Sequence, residues 1–168
     1  MTLIKSKSVL PKKIHAIIFD FDGVFTDNKV IVDEDGKESV ICNRSDGLGI
    51  SAIKKYDLSL LVLSKEKNSV VQKRCEKLGL QCFQGIDDKK TFLTTWLEKK
   101  GINPNNVIYV GNDVNDIECL RYVGCGVAVA DAHEEVKKKS KIILKNKGGQ
   151  GAVRELCEFV ILKIKGKK

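Results

Sequence analysis

With 168 residues, 42% of them hydrophobic, the chain is long enough for one ordinary core, yet no apolar run approaches the ~20 residues of a membrane span. Its N-terminal "MTLIKSKSVLPKK" lacks the apolar centre of a secretion signal, so a soluble, cytoplasmic protein is expected. The net charge of +8 comes with lysine runs free of interleaved aromatics, which disfavours nucleic acid as a partner and leaves a solvated basic surface or an anionic substrate.

Strand and helix signals alternate along the chain. "IHAIIFD" (14–20) reads as a buried strand, and "KVIVDEDGKESVIC" (29–42) as two short strands turning at Asp35 and Gly36. "SDGLGISAIKKYD" looks helical, although Gly47 and Gly49 weaken its first turn. "LSLLVLS" (58–64) is a second core strand, followed by the amphipathic helix "NSVVQKRCEKLG" with Gly79 as its stop. A strand "LQCFQG", a helix "DKKTFLTTWLEKKG", the strand "NVIYVG" (106–111) and a helix "DVNDIECLRYVG" (113–124) come next. The strand "GVAVA", a short lysine-rich helix, the strand "KIILK" and a helix from about Gly151 complete the series. Cys42, Cys75, Cys82, Cys119, Cys125 and Cys157 form no CxxC pair, and with two histidines in the chain a zinc cluster is not expected; they read as reduced thiols. His15 and His133 have no partner pattern and read as structural.

Such alternation predicts a doubly wound α/β domain spanning 1–168, its mainly parallel sheet covered on both faces by helices. The hairpin lacks a crossover helix and should project as a small flap at about 28–43. Sheets of this kind bind ligands at the carboxyl ends of their strands. The first strand ends at Asp20 and Asp22, the second at Ser64, and "NVIYVG" at Asn112 and Asp113, with Asp116 a turn further; Lys89 opens a helix. Converging carboxylates repel each other unless a hard cation joins them, and oxygen donors favour Mg²⁺. A carboxylate, a metal, a serine hydroxyl and a lysine make a phosphate site, in which one aspartate attacks phosphorus and the other exchanges a proton with the leaving oxygen.

"DFDGVFTD", "LVLS", Lys89 and "GNDVND" resemble, in order, the motifs of the haloacid dehalogenase superfamily, and the likeness runs from about Ile14 to Ile161. "DGLGI", "VGCGVAVADA" and "GGQGAVRE" resemble its small sugar-acid phosphatases, which act on 3-deoxy-D-manno-octulosonate 8-phosphate or are attached to N-acylneuraminate cytidylyltransferases. The resemblance implies a Rossmann-like fold and a Mg²⁺-dependent phosphatase. Asp20 would be the nucleophile. Asp22 would be the general acid/base and lend its carbonyl to the metal. Ser64 and Lys89 would hold phosphoryl oxygens, and Asp116 would brace the site. Asn112 stands where the family commonly has a metal-binding aspartate, so either Asn112 or Asp113 would complete the ligand set. Lys65 and Glu66 stand where the octulosonate enzymes tend to have glycine and arginine. Arg44, Ser45, Asp46 and Arg154 are candidate substrate contacts, Arg154 across a subunit boundary. A homotetramer is implied, a neighbour capping the pocket through flap residues Val30, Ile31 and Val32.

Plainer readings stand beside these. Ser64 could cap the following helix, Asn112 or Asp113 could cap theirs, Lys89 could be a surface lysine, and Asp116 a helix-surface partner. Gly148, Gly149 and Gly151 could simply shape the entry to the last helix. The domain as a whole could be a non-catalytic tetramerisation module linked to a cytidylyltransferase. A phospho-acceptor signalling domain would instead carry its acceptor on a middle strand.

Overall fold

The structure, a computed structural model, describes residues 9–166. The first eight residues, on which part of the leader reading rests, and the last two lysines lie outside them. β1 (Ala16–Phe19) is wholly buried and pairs in parallel with β4 (Ser59–Leu63) on one side and β6 (Val107–Gly111) on the other. Next to β4 lies β5 (Gln81–Phe83), and beyond β6 come β7 (Cys125–Ala128) and β8 (Ile142–Ile143), giving the order β5-β4-β1-β6-β7-β8 with every pair parallel. The chain winds outward from β1 to β5, then returns to β6 and winds the other way. The carboxyl end of β1 is therefore the switch point where such sheets open a crevice.

Helices cover both faces, as expected. α1 (Arg44–Ile53), α2 (Ser69–Leu78) and α6 (Ala152–Lys165) pack together on one face. α3 (Lys89–Lys100), α4 (Ile117–Tyr122) and α5 (Glu134–Lys139) form the other. Right-handed crossovers require this split, because the winding direction reverses after β5. Gly79 stops α2 in the left-handed region (φ 59°), as read from the sequence. Gly49 in α1 has a different reason: a Cβ there would come within 2.8 Å of Arg154 Cα, so the glycine lets α1 and α6 approach closely.

Two elements are shorter than expected. The hairpin pairs only Ile31 with Ser39 and Val32 with Glu38, forming β2 (Ile31–Val32) and β3 (Glu38–Ser39), closed at its base by the Thr26–Cys42 bridge. The helix expected over 113–124 divides into a 3₁₀ turn, Val114–Asp116, and α4. The Asp116 side chain turns back to accept the amides of Asn112 (3.0 Å) and Asp113 (3.3 Å), which tightens that first turn. The 148–151 loop packs on the turn after β1: Gly149 N–H donates to Val24 O, and a Cβ on Gly148 would meet Gly23 O at 1.9 Å. Among the described residues no helix is long and apolar enough to cross a membrane, and the six cysteines are free.

Candidate active site

At the end of β1 the ladder continues for one more bond, from Asp20 N–H to Val110 O, and then the chain turns. Asp20 Oδ1 accepts from Phe21 N–H (2.7 Å) and from Lys89 Nζ (2.8 Å). Lys89 Nζ also donates to Asp116 Oδ1 at 2.8 Å. Lys89 is 2% exposed, so it is no surface lysine, and Asp116 is completely buried. Three strand or helix ends remote in sequence thus meet through one ammonium group.

Two negative charges share one positive charge in a space nearly without water. Burial, then the charge of Asp116, push the Asp20 carboxyl up to about 8 against the opposing pull of Lys89. Burial also works against the Lys89 ammonium, but Asp20 and Asp116 outweigh it and hold the lysine above its ordinary range. The cluster lacks positive charge. Asp22, half-buried on the cleft wall, is raised as well, by burial and then by Glu66, with Glu38 adding a little.

Asp20, Asp22, Ser64, Asn112 and Asp113 line one cleft of about 500 Å³, which also takes in Lys29, Val30 and Glu38 from the flap and Lys65, Glu66 and Asn68 from the loop after β4. Ser64 is buried, its amide held by Phe83 O and its carbonyl by Ile86 N–H. It does not cap α2; Asn68 does, accepting from Val70 N–H. Asp113 is exposed and caps the 3₁₀ turn through Val114 N–H, the plainer role foreseen for it. Asn112 Oδ1 is buried and has no hydrogen-bond partner among the described residues. Its amide lies over Gly23, immediately after Asp22, close enough that a Cβ on Gly23 would overlap it.

These donors fit a hard divalent cation. Among the described residues no group of three His, Cys, Asp or Glu side chains is arranged around a metal position. Mg²⁺, however, needs only one or two carboxylates and otherwise takes neutral oxygens, water and substrate phosphate. A buried carboxylate short of positive charge beside an unpartnered amide oxygen meets that description, and leaving either unsatisfied is costly.

The other candidates do not join this cleft within one chain. Arg44 is exposed at the start of α1. Ser45 and Arg154 line a second cavity of about 450 Å³ with Lys145, Gln150 and Glu158. Arg154 Nε pairs with Glu158 (2.7 Å). Asp46 is completely buried and accepts Arg154 N–H through Oδ1, so it caps the start of α6 and is not placed to touch a sugar. Sequence reasoning passed over Glu38 and Asn68, whose side chains hydrogen-bond across the mouth of the cleft. It also passed over Thr26, whose buried hydroxyl accepts from Gly23 and Asn28 N–H and shapes the turn carrying Asp22. A buried threonine in a turn quoted for its aspartates was the available signal.

Residues 80–156 match the haloacid dehalogenase-like hydrolase family model. The chain is 36% identical over 152 residues to the 3-deoxy-D-manno-octulosonate 8-phosphate phosphatase KdsC of Escherichia coli, covering 90% of this chain and 81% of that one. A HAD family hydrolase structure from Streptomyces avermitilis is 45% identical with a TM-score of 0.86, covering 89% of this chain and 86% of that one. The octulosonate 8-phosphate phosphatase of Moraxella catarrhalis, solved with magnesium, phosphate and KDO, is 34% identical with a TM-score of 0.85 and the same coverages.

Proposed function

Because the chain belongs to the haloacid dehalogenase-like hydrolases, we propose that it is a Mg²⁺-dependent phosphatase of a phosphorylated keto-sugar acid, an octulosonate 8-phosphate or an N-acylneuraminate 9-phosphate. The observation that carries this reading is Lys89 bonded at 2.8 Å to both Asp20 and Asp116 beneath a cleft that Ser64 and Asp22 also line. Asp20 attacks phosphorus as the ester P–O bond breaks. Asp22, whose carboxyl burial and then Glu66 push above its ordinary range, gives its proton to the departing sugar oxygen. Asp22 then takes a proton from water, whose oxygen displaces Asp20 and frees inorganic phosphate. Lys89 and Ser64 hold phosphoryl oxygens throughout. Asp20, the Asp22 carbonyl and Asn112 Oδ1 would hold the magnesium ion, with Asp113 at the rim, and when bound it neutralises charge on the phosphoryl group.

The first substrate class follows the relatives. The second is favoured by Lys65 and Glu66, which line the cleft where the octulosonate enzymes tend to differ. For that class the released sugar acid is one a cytidylyltransferase consumes, which makes such an enzyme the expected functional partner. An assembly-only role gains nothing from the buried Lys89 and its two carboxylates, since apolar replacements are often as stable or more so. Exposed Val30, Ile31, Val32 and Ile41 on and beside the flap support a homotetramer in which a neighbour caps the cleft. Free thiols fit a cytoplasmic location.

The test is a panel of phosphorylated keto-sugar acids assayed with and without magnesium. Phosphate release should require the metal and favour one acid. Asp20→Asn should lower turnover by more than about 10³-fold while melting no lower than wild type, because it removes a charge the fold disfavours. Undiminished turnover in that variant would falsify the covalent route.

A further inference from the structure

β6 is apolar along its length except for one hydroxyl, that of Tyr109. The residue is wholly buried, and its hydroxyl lies 2.8 Å from Asp116 Oδ1. Burial and the Asp116 carboxylate keep the phenol protonated well above its ordinary range, so it acts as the donor in that contact. Asp116 Oδ1 therefore receives two donors, Tyr109 and Lys89, while Oδ2 receives the amides of Asn112 and Asp113. A carboxylate offers about four acceptor positions, and here all are filled. Asp116 thus ties the Lys89 ammonium to the loop bearing Asn112.

We infer that Tyr109 is a positioning residue: its hydroxyl locks Asp116, and through Asp116 it aims Lys89 at the phosphoryl group, a role that rests on the phosphatase reading above. Lys89 has three N–H donors. Asp20 and Asp116 take two, leaving the third for a phosphoryl oxygen. Without the Tyr109 hydroxyl, Asp116 Oδ1 keeps Lys89 alone, and the carboxylate, held only by the two amides on Oδ2, can pivot about them and draw the ammonium out of line. Tyr109 does not line the cleft, and its hydroxyl bonds Asp116, so its route to phosphate runs through Asp116 and Lys89.

Tyr109→Phe removes the bond and keeps the ring. Affinity for inorganic phosphate is measured by calorimetry in magnesium buffer, below the melting temperature of every variant, beside kcat and KM for a generic phosphomonoester. The expected result is about tenfold weaker phosphate binding and a similar fall in kcat, the scale of one hydrogen bond to a charged group. In an Asp116→Asn background the same replacement should change phosphate affinity less than about twofold, because the anion through which it acts has gone. Tyrosine replaced by 3-fluorotyrosine at 109, which keeps the donor, should retain wild-type affinity. Equal affinity and kcat in wild type and Tyr109→Phe, or an undiminished penalty in the Asp116→Asn background, makes Tyr109 a packing residue and overturns the inference while the phosphatase reading stands. If wild type itself neither binds phosphate nor hydrolyses an ester, the reading falls and takes the inference with it.

Discussion

At position 46 the chain buries a carboxylate completely and gives one of its oxygens no partner among the described residues. Burial raises its pKa, more than Arg154 N–H, Arg74 and the Arg154 charge lower it. The fold thus favours the protonated form more than the unfolded chain does, and the stability this lends is full below the ordinary carboxylate range, near pH 4. That contribution is lost as pH rises through the raised value. Asp46→Asn keeps an acceptor for Arg154 N–H and removes the charge, so its melting temperature should gain on wild type as pH rises from about 4 to neutral. A gap that stays constant or shrinks over that range would mean that Asp46 ionises in the fold without cost. Gly49 answers to the same crowding, since it shares with Asp46 the α1 face pressed against α6.

Among the elements, the flap depends on side chains more than on its ladder, which has two residue pairs. Its outer strand is fastened to the rest of the chain by Glu38, whose carboxylate accepts from Asn68 Nδ2. Asn68 meanwhile caps α2 and receives support at its own N–H from Gln84. One residue therefore joins the flap, α2 and the turn that follows β5. The two roles are separable. Asn68→Ala should cost about 1 kcal/mol of stability through the lost cap and loosen the flap. Asn68→Asp should keep the cap yet repel Glu38, so only the flap responds. Hydrogen exchange at the Ile31–Ser39 pairing should quicken in both variants, with the melting temperature falling mainly in Asn68→Ala. Unchanged exchange in Asn68→Asp would show that the hairpin holds itself.

Across the whole molecule, the cleft opens beneath a flap that exposes Val30, Ile31 and Val32 among its charged residues; Ile31 is 60% exposed. A two-pair hairpin does not exclude water from a phosphoryl group, and exclusion strengthens every charge in the site. A neighbouring copy would bury the flap and complete the lid. Light scattering of wild type at micromolar concentration should give about four chain masses, and Ile31→Lys should shift it toward smaller species with lower turnover. A wild-type monomer with full activity removes the cap from the account.

The sequence by itself determined the winding of this protein and the place of its chemistry. The alternation of apolar runs with 3.6-period stretches is a local property, and it dictates parallel strands whose carboxyl ends share one rim. Asp20 and Ser64 were legible because each ends such a run, Asp116 because it lies one turn beyond another, and Lys89 because it opens the helix that follows a strand. What only the tertiary structure decided is which polar atom meets which. Asp46 reads like a pocket residue beside "GLGI", yet faces the interior because α6, remote in sequence, lies against it. Tyr109 reads as one more β-former, yet its hydroxyl completes Asp116. Asn112 and Asp113 look interchangeable in the chain, but one side chain is buried over Gly23 while the other is spent on a turn. Periodicity reports which face of an element is apolar; the partners of a buried polar group come from segments whose distance along the chain carries no local trace, and those partners decide its charge and use.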